Sequence, residues 1–117
     1  MSPALLAQLA TAEAMSLGDY RALLAERLRI GALYAELAQD CAAVVTLAAT
    51  GPAPLGLAST GNGVFGTPGS LLGLPAVSLP LLQAEGLPLG LQAMGFRDGD
   101  AALFATATWL TAALAPR

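Results

Sequence analysis

The chain has 117 residues, of which 56% are apolar and 11% charged, where an average soluble domain is about 25% charged. Alanine (26) and leucine (24) alone fill 50 positions, and five arginines with no lysine and no histidine leave a net charge of −3 and an isoelectric point near 4.5. These numbers exclude a Ser-His-Asp or Cys-His pair, a lysine base, a histidine metal site, an internal disulfide and the basic surface that nucleic acid requires.

Ser2-Pro3 is a helix start, with serine as N-cap and proline at the first helical position. It predicts a helix over 3–14, with Leu5, Leu6, Leu9 and Ala10 on one side. Ser16, followed three residues on by Asp19, resembles a capping box and opens a long helix over 17–39. Tyr20, Leu23, Leu24, Arg27, Leu28, Gly31, Tyr34, Leu37 and Ala38 recur along it at helical spacing. Arg21, Glu26, Arg29 and Glu36 take the opposite face. Val44, Val45 and Thr46 mark a buried strand at about 43–48. Gly51-Pro52-Ala53-Pro54 ends it and opens a Gly/Pro-rich loop to Gly69. Ser70–Leu72 reads as one helical turn, stopped by Gly73. A second strand spans 75–79 and closes at Pro80. A third, at about 88–94, alternates Leu89, Leu91 and Ala93 with Gly90, Gln92 and Met94. Arg97-Asp98-Gly99-Asp100 is a turn, and Asp100 caps a last helix over 100–114 with Leu103, Ala107, Leu110 and Leu114 on its stripe.

This order predicts one domain over 1–117 of α/β class, with α+β as the alternative. A small mixed three-strand sheet is covered by the N- and C-terminal helices. No repeat of solenoid length is present. The charge-free stretch Cys41–Ala84 is interrupted by Gly and Pro, and Ala101–Ala115 is too short to span a bilayer, so no membrane span is expected. The first residues lack a basic leader and include Glu13 and Asp19, so the expected location is cytoplasmic. The apolar residues exceed what a domain of this length hides, which predicts a homo-oligomer, a homodimer first.

Few residues carry chemistry. Gly61-Asn62-Gly63-Val64-Phe65-Gly66 matches G-x-G-x-x-G but follows a loop rather than a strand, so a sharply turning loop is the better reading. Cys41 has no cation beside it and reads as a small buried hydrophobe. Asp98 and Asp100 sit two apart in a turn, where capping accounts for one of them. Trp109 reads as packing. If the chain has a catalytic site, Cys41, Asp98 and Asp100 are its candidates, with Asp40, Tyr20 and Tyr34 behind them. Ser59, Thr60, Asn62 and Phe65 are the candidates for substrate contact, because binding groups concentrate on loops. No cofactor is expected, and a metal held by carboxylates stays open.

Several segments together resemble one family. Ser2-Pro3-Ala4-Leu5 and Asp19-Tyr20-Arg21-Ala22 look like the late helices of the amidase signature family. Asp40 to Thr46 with Gly51-Pro52-Ala53-Pro54 resembles its D-x-L-L-T-P strand and the following loop. Ser59 to Pro80 is similar to its F-N-x-P-W-x-x-L-G-x-P-A-x-S-L-P motif. Gly86 to Gln92, with Gly95 and Asp100 to Leu103, resembles G-L-P-x-G-L-Q and the closing helix. Leu47 stands where the family has proline; Gly63, Gly66 and Gly69 stand about where it has proline, asparagine and tryptophan; Ala93 replaces a larger residue.

The resemblance covers nearly the whole chain but only the last quarter of such enzymes. It implies a fragment of the amidase signature fold. The family's amide and ester hydrolysis uses two serines and a lysine from an earlier motif that this sequence lacks, so no catalytic role carries over. The loop Ser59–Gly69 corresponds to one near the substrate pocket. The expectation is therefore a truncated amidase-signature-type hydrolase fragment without the Ser-Ser-Lys triad, folding as a self-associating domain. The alternatives are a small hydrolase of activated esters, amides or phosphoesters with a site rebuilt at a subunit interface, and a module that binds a small apolar ligand.

Overall fold

The computed structural model describes residues 2–114; Ala115, the end of the last apolar run, lies outside them. Helix α1 spans Pro3–Glu13 and α2 spans Leu17–Glu36, continued by a 3-10 turn over Leu37–Gln39. Both begin as their caps dictate. Ser2 Oγ accepts the Leu5 N–H at 3.3 Å, and Ser16 and Asp19 close a full capping box, with Asp19 N–H donating to Ser16 Oγ at 3.1 Å. Strand β1 follows at Val44–Leu47. Helix α3 spans Thr67–Leu72, starting earlier than the single turn expected at Ser70 because Pro68 occupies its first turn. Gly73, at φ +66°, ends it in the left-handed conformation.

Strand β2 runs over Ala76–Ala84 and β3 over Leu87–Met94. Pro80 does not close β2 as expected. β2 is an edge strand in the order β1-β3-β2, and its register shifts between Leu79 and Leu82, so a residue without an N–H is accommodated at an irregularity. The hairpin turns on Glu85 and Gly86, both at positive φ, as tight two-residue hairpins favour. Both pairings are antiparallel, so the sheet is not mixed. The 28 residues between β1 and β2 carry the chain past β3, which takes the middle place.

Helix α4, Asp100–Leu114, lies on the face bearing Leu91, Ala93 and Gly95; a Cβ on Gly95 would approach Leu103 at 3.1 Å. Its three threonines each donate to the carbonyl four residues back, which satisfies them inside an apolar helix. Helix α3 and the preceding loop cover the opposite face, where Gly69 nears Met94 and Ala76. The apolar core is small: Leu72, Leu79, Ala93, Met94, Leu103 and Ala107. Helix α1 buries nothing, and α2 buries no residue fully although it packs against α3, so the N-terminal helices do not cover the sheet as expected. Among the described residues no helix is long and apolar enough to cross a membrane.

Candidate functional site

The expected substrate-contact loop is built from local turns. Ser59 Oγ accepts the Gly61 N–H at 3.1 Å, and Asn62 Oδ1 accepts the Val64 N–H at 3.0 Å. The Gly63 carbonyl then receives the N–H of Gly66 and of Thr67 together with the Thr67 hydroxyl, which leads the chain into α3. The G-x-G-x-x-G stretch is thus a turning loop that enters a six-residue helix. Ser59, Thr60 and Asn62 are exposed and Phe65 is half-buried.

One residue that is not among these candidates holds the loop. Gln92 in β3, 8% exposed, is the buried polar residue of the described chain. Its Nε2 donates to the Phe65 carbonyl at 2.8 Å and to Thr46 Oγ1 at 3.3 Å. The loop is therefore fastened to the middle strand and, through it, to β1. Beside it, a Cβ on Gly90 would stand 2.2 Å from Ser78 Oγ and 2.7 Å from Ala48 Cβ, so only glycine fits there. The alternation around Gln92 indicates a half-buried strand; the signal that could have found its role is an amide side chain at a position the pleat turns away from the α4 face.

The candidates for chemistry flank the start of β1 and the end of β3. The register pairs Val44 with Met94, so Cys41 and Asp98 extend from the same end. Cys41 is half-buried and its thiol donates to the Leu37 carbonyl at 3.3 Å. Asp98 adopts φ +59° in an exposed turn closed by the Gly99 N–H on the Phe96 carbonyl at 2.9 Å. Asp100 is exposed and is itself the first residue of α4 rather than the residue that precedes and caps it. Among the described residues, no three acidic, cysteine or histidine side chains are placed to share a metal ion.

Tyr34 joins this end. Its hydroxyl donates to the Met94 carbonyl at 3.3 Å, and its ring lies 5.4 Å from that of Phe96. Burial pushes its phenol above the usual tyrosine range, and the neighbouring Cys41 adds to the effect. Tyr20 and Asp40 are exposed. Arg29 and Glu26 form an exposed pair in which the hydrogen bond from Arg29 lowers the Glu26 carboxyl below its ordinary range.

With this geometry in place, the chain can be set beside known proteins. No family model matches the chain. Over 35 residues, 29% of the chain, it is 63% identical to a subunit of the glutamyl-tRNA(Gln) amidotransferase of Sphingopyxis alaskensis, and it covers 7% of that subunit's length. A crystal structure of an amidase superposes on 97% of the chain with a TM-score of 0.83 and 31% sequence identity. The chain spans 29% of that amidase. The resemblance read from the motifs holds in both comparisons: the chain has the fold of a segment of an amidase-signature protein, an α/β arrangement of helices around three strands.

Proposed function

We propose that this amidase-type segment acts as a self-associating, non-catalytic module. Two copies cover each other's open apolar faces. The carrying observation is its surface. The chain exposes 8447 Å², against roughly 5,900 Å² for a compact monomer of its mass, an excess of roughly 2,500 Å². Its radius of gyration is 17.3 Å where about 13 Å is usual, and its shortest extent is 17 Å. Two protomers together carry about 5,000 Å² of such excess, at the upper end of the roughly 2,000–5,000 Å² in total that obligate dimer interfaces bury.

Exposed apolar groups on β1 and α4 would form such an interface. Val45 and Leu47 on β1 are 46% and 36% exposed, on the same face of the sheet that α4 covers over β2 and β3. Phe104 and Trp109 of α4 are 62% and 66% exposed. Large apolar side chains left open on a folded chain suit a contact surface. The edge of β1 away from β3 adds unpaired backbone groups among the described residues.

The non-catalytic half rests on chemistry. The sequence contains no lysine, the base that amidase-signature catalysis needs, and no histidine to replace it. A free Cys41 thiol suits a reducing, cytoplasmic setting. One sample tests both halves. Static light scattering should return twice the 11.7 kDa protomer mass. A screen of activated esters, amides and phosphoesters, with and without chelator, should show no turnover above buffer. A protomer mass overturns the first half. Turnover abolished by Cys41→Ala or by Asp98→Asn with Asp100→Asn overturns the second and points to a hydrolase rebuilt at the sheet end.

A further inference from the structure

A cleft of about 450 Å³ lies between the middle of α2 and the segments that follow α3 and β3. Its apolar wall is formed chiefly by Leu28, Leu74 and Phe96, and two arginines, Arg27 and Arg97, line it as well. The volume falls within the range of small-molecule pockets. No aspartate or glutamate is among its lining residues.

The two arginines are held in place by the same short helix. Arg27 Nε donates to the Leu71 carbonyl, and Arg97 Nη2 donates to the Leu72 carbonyl at 2.9 Å. Those are the last two residues of α3, where the helix ends on open carbonyls that favour cations. Each bond uses one of the five N–H donors of a guanidinium. Both guanidinium groups line the same cleft. The Tyr34–Phe96 ring contact steadies the aromatic side of the wall.

Two of the five arginines of a chain with net charge −3 thus meet an apolar hollow that holds no counter-charge. We propose that the cleft is a binding site for a small carboxylic acid with an apolar body. The carboxylate is taken by the free N–H donors of Arg27 and Arg97, which match it in shape and charge. The body lies against Leu28, Leu74 and Phe96. The residues that form the site do not include Val45, Leu47, Phe104 or Trp109, so it stands apart from the proposed self-association surface.

The test uses the 117-residue chain and 3-phenylpropionate as the probe, titrated by calorimetry, with 3-phenylpropanol as the uncharged equivalent and inorganic phosphate as the bare anion. The acid should bind saturably, one per protomer, and at least about tenfold tighter than the alcohol or phosphate. Arg27→Met and Arg97→Met should each weaken the acid about tenfold while leaving the alcohol unchanged. Equal binding of acid and alcohol overturns the role of the arginines, and phosphate as tight as the acid overturns the role of the apolar wall. Absence of saturable acid binding, or an affinity that both substitutions leave intact, overturns the site itself. Should either substitution unfold the chain, the three probes on the unaltered protein still decide.

Discussion

Gln92 Nε2 donates to the Phe65 carbonyl across 27 positions of sequence, joining the middle strand to the loop that precedes α3. This bond decides where the candidate substrate loop sits. Replacing Gln92 by leucine keeps the volume and removes the donor, leaving the Phe65 carbonyl unpaired. The expected cost is about 1–3 kcal/mol in urea unfolding. Amide exchange should rise at Val64 and Gly66 while the α4 amides change little. Exchange that rises equally throughout would mean the bond supports the whole fold and not the loop.

Gly90 has no room for a side chain, with Ser78 Oγ and Ala48 Cβ both within 2.7 Å of where a Cβ would stand. Gly90→Ala should destabilise by roughly 1–3 kcal/mol through forced overpacking. Adding Ser78→Ala and Ala48→Gly opens the space and should recover most of the loss. Thermal unfolding of the single and triple variants checks this, and a triple variant no better than the single one would contradict it.

Tyr34 sets a pH dependence whose sign follows from burial. Its folded pKa lies above that of the unfolded chain. The stability this confers is therefore complete below the ordinary tyrosine range and is lost as pH rises through the folded pKa. Stability should fall on the alkaline side, less steeply in Tyr34→Phe. Tyrosinate absorbance should show one of the two tyrosines ionising late in the native protein and in the ordinary range once urea unfolds it.

Charge on the open apolar surface should separate association from folding. Val45→Glu and Trp109→Glu place carboxylates on exposed positions, so each should change monomer stability by about 0.5 kcal/mol or less. Both should shift the assembly toward protomer in sedimentation velocity. Variants that stay associated would place the contact elsewhere on the chain.

Much of the fold was legible because it depends on local chemistry. Ser2-Pro3 and the Ser16–Asp19 pair dictated both helix starts, and the alternation from Leu87 to Met94 dictated β3. What was not legible depends on partners distant in sequence. Pro80 looked like a strand end because a central strand cannot hold proline, but β2 lies at the edge and shifts register there. The sheet is antiparallel rather than mixed because β3 enters between β1 and β2, an order that no local pattern records. Arg27 fell on the apolar stripe of α2 in the sequence, and the structure gives the reason in its bond to the Leu71 carbonyl. The candidate catalytic residues drew on residue type alone. Cys41 and Asp98 do share one end of the sheet, while the loop residues Ser59 and Asn62 spend their side chains on local turns.

Sedimentation equilibrium over a range of micromolar concentrations is decisive, because a second copy must cover the open faces of β1 and α4. The expected species has twice the 11.7 kDa protomer mass and dissociates only on dilution. A protomer mass at every concentration, with the radius of gyration still near 17.3 Å, would contradict it.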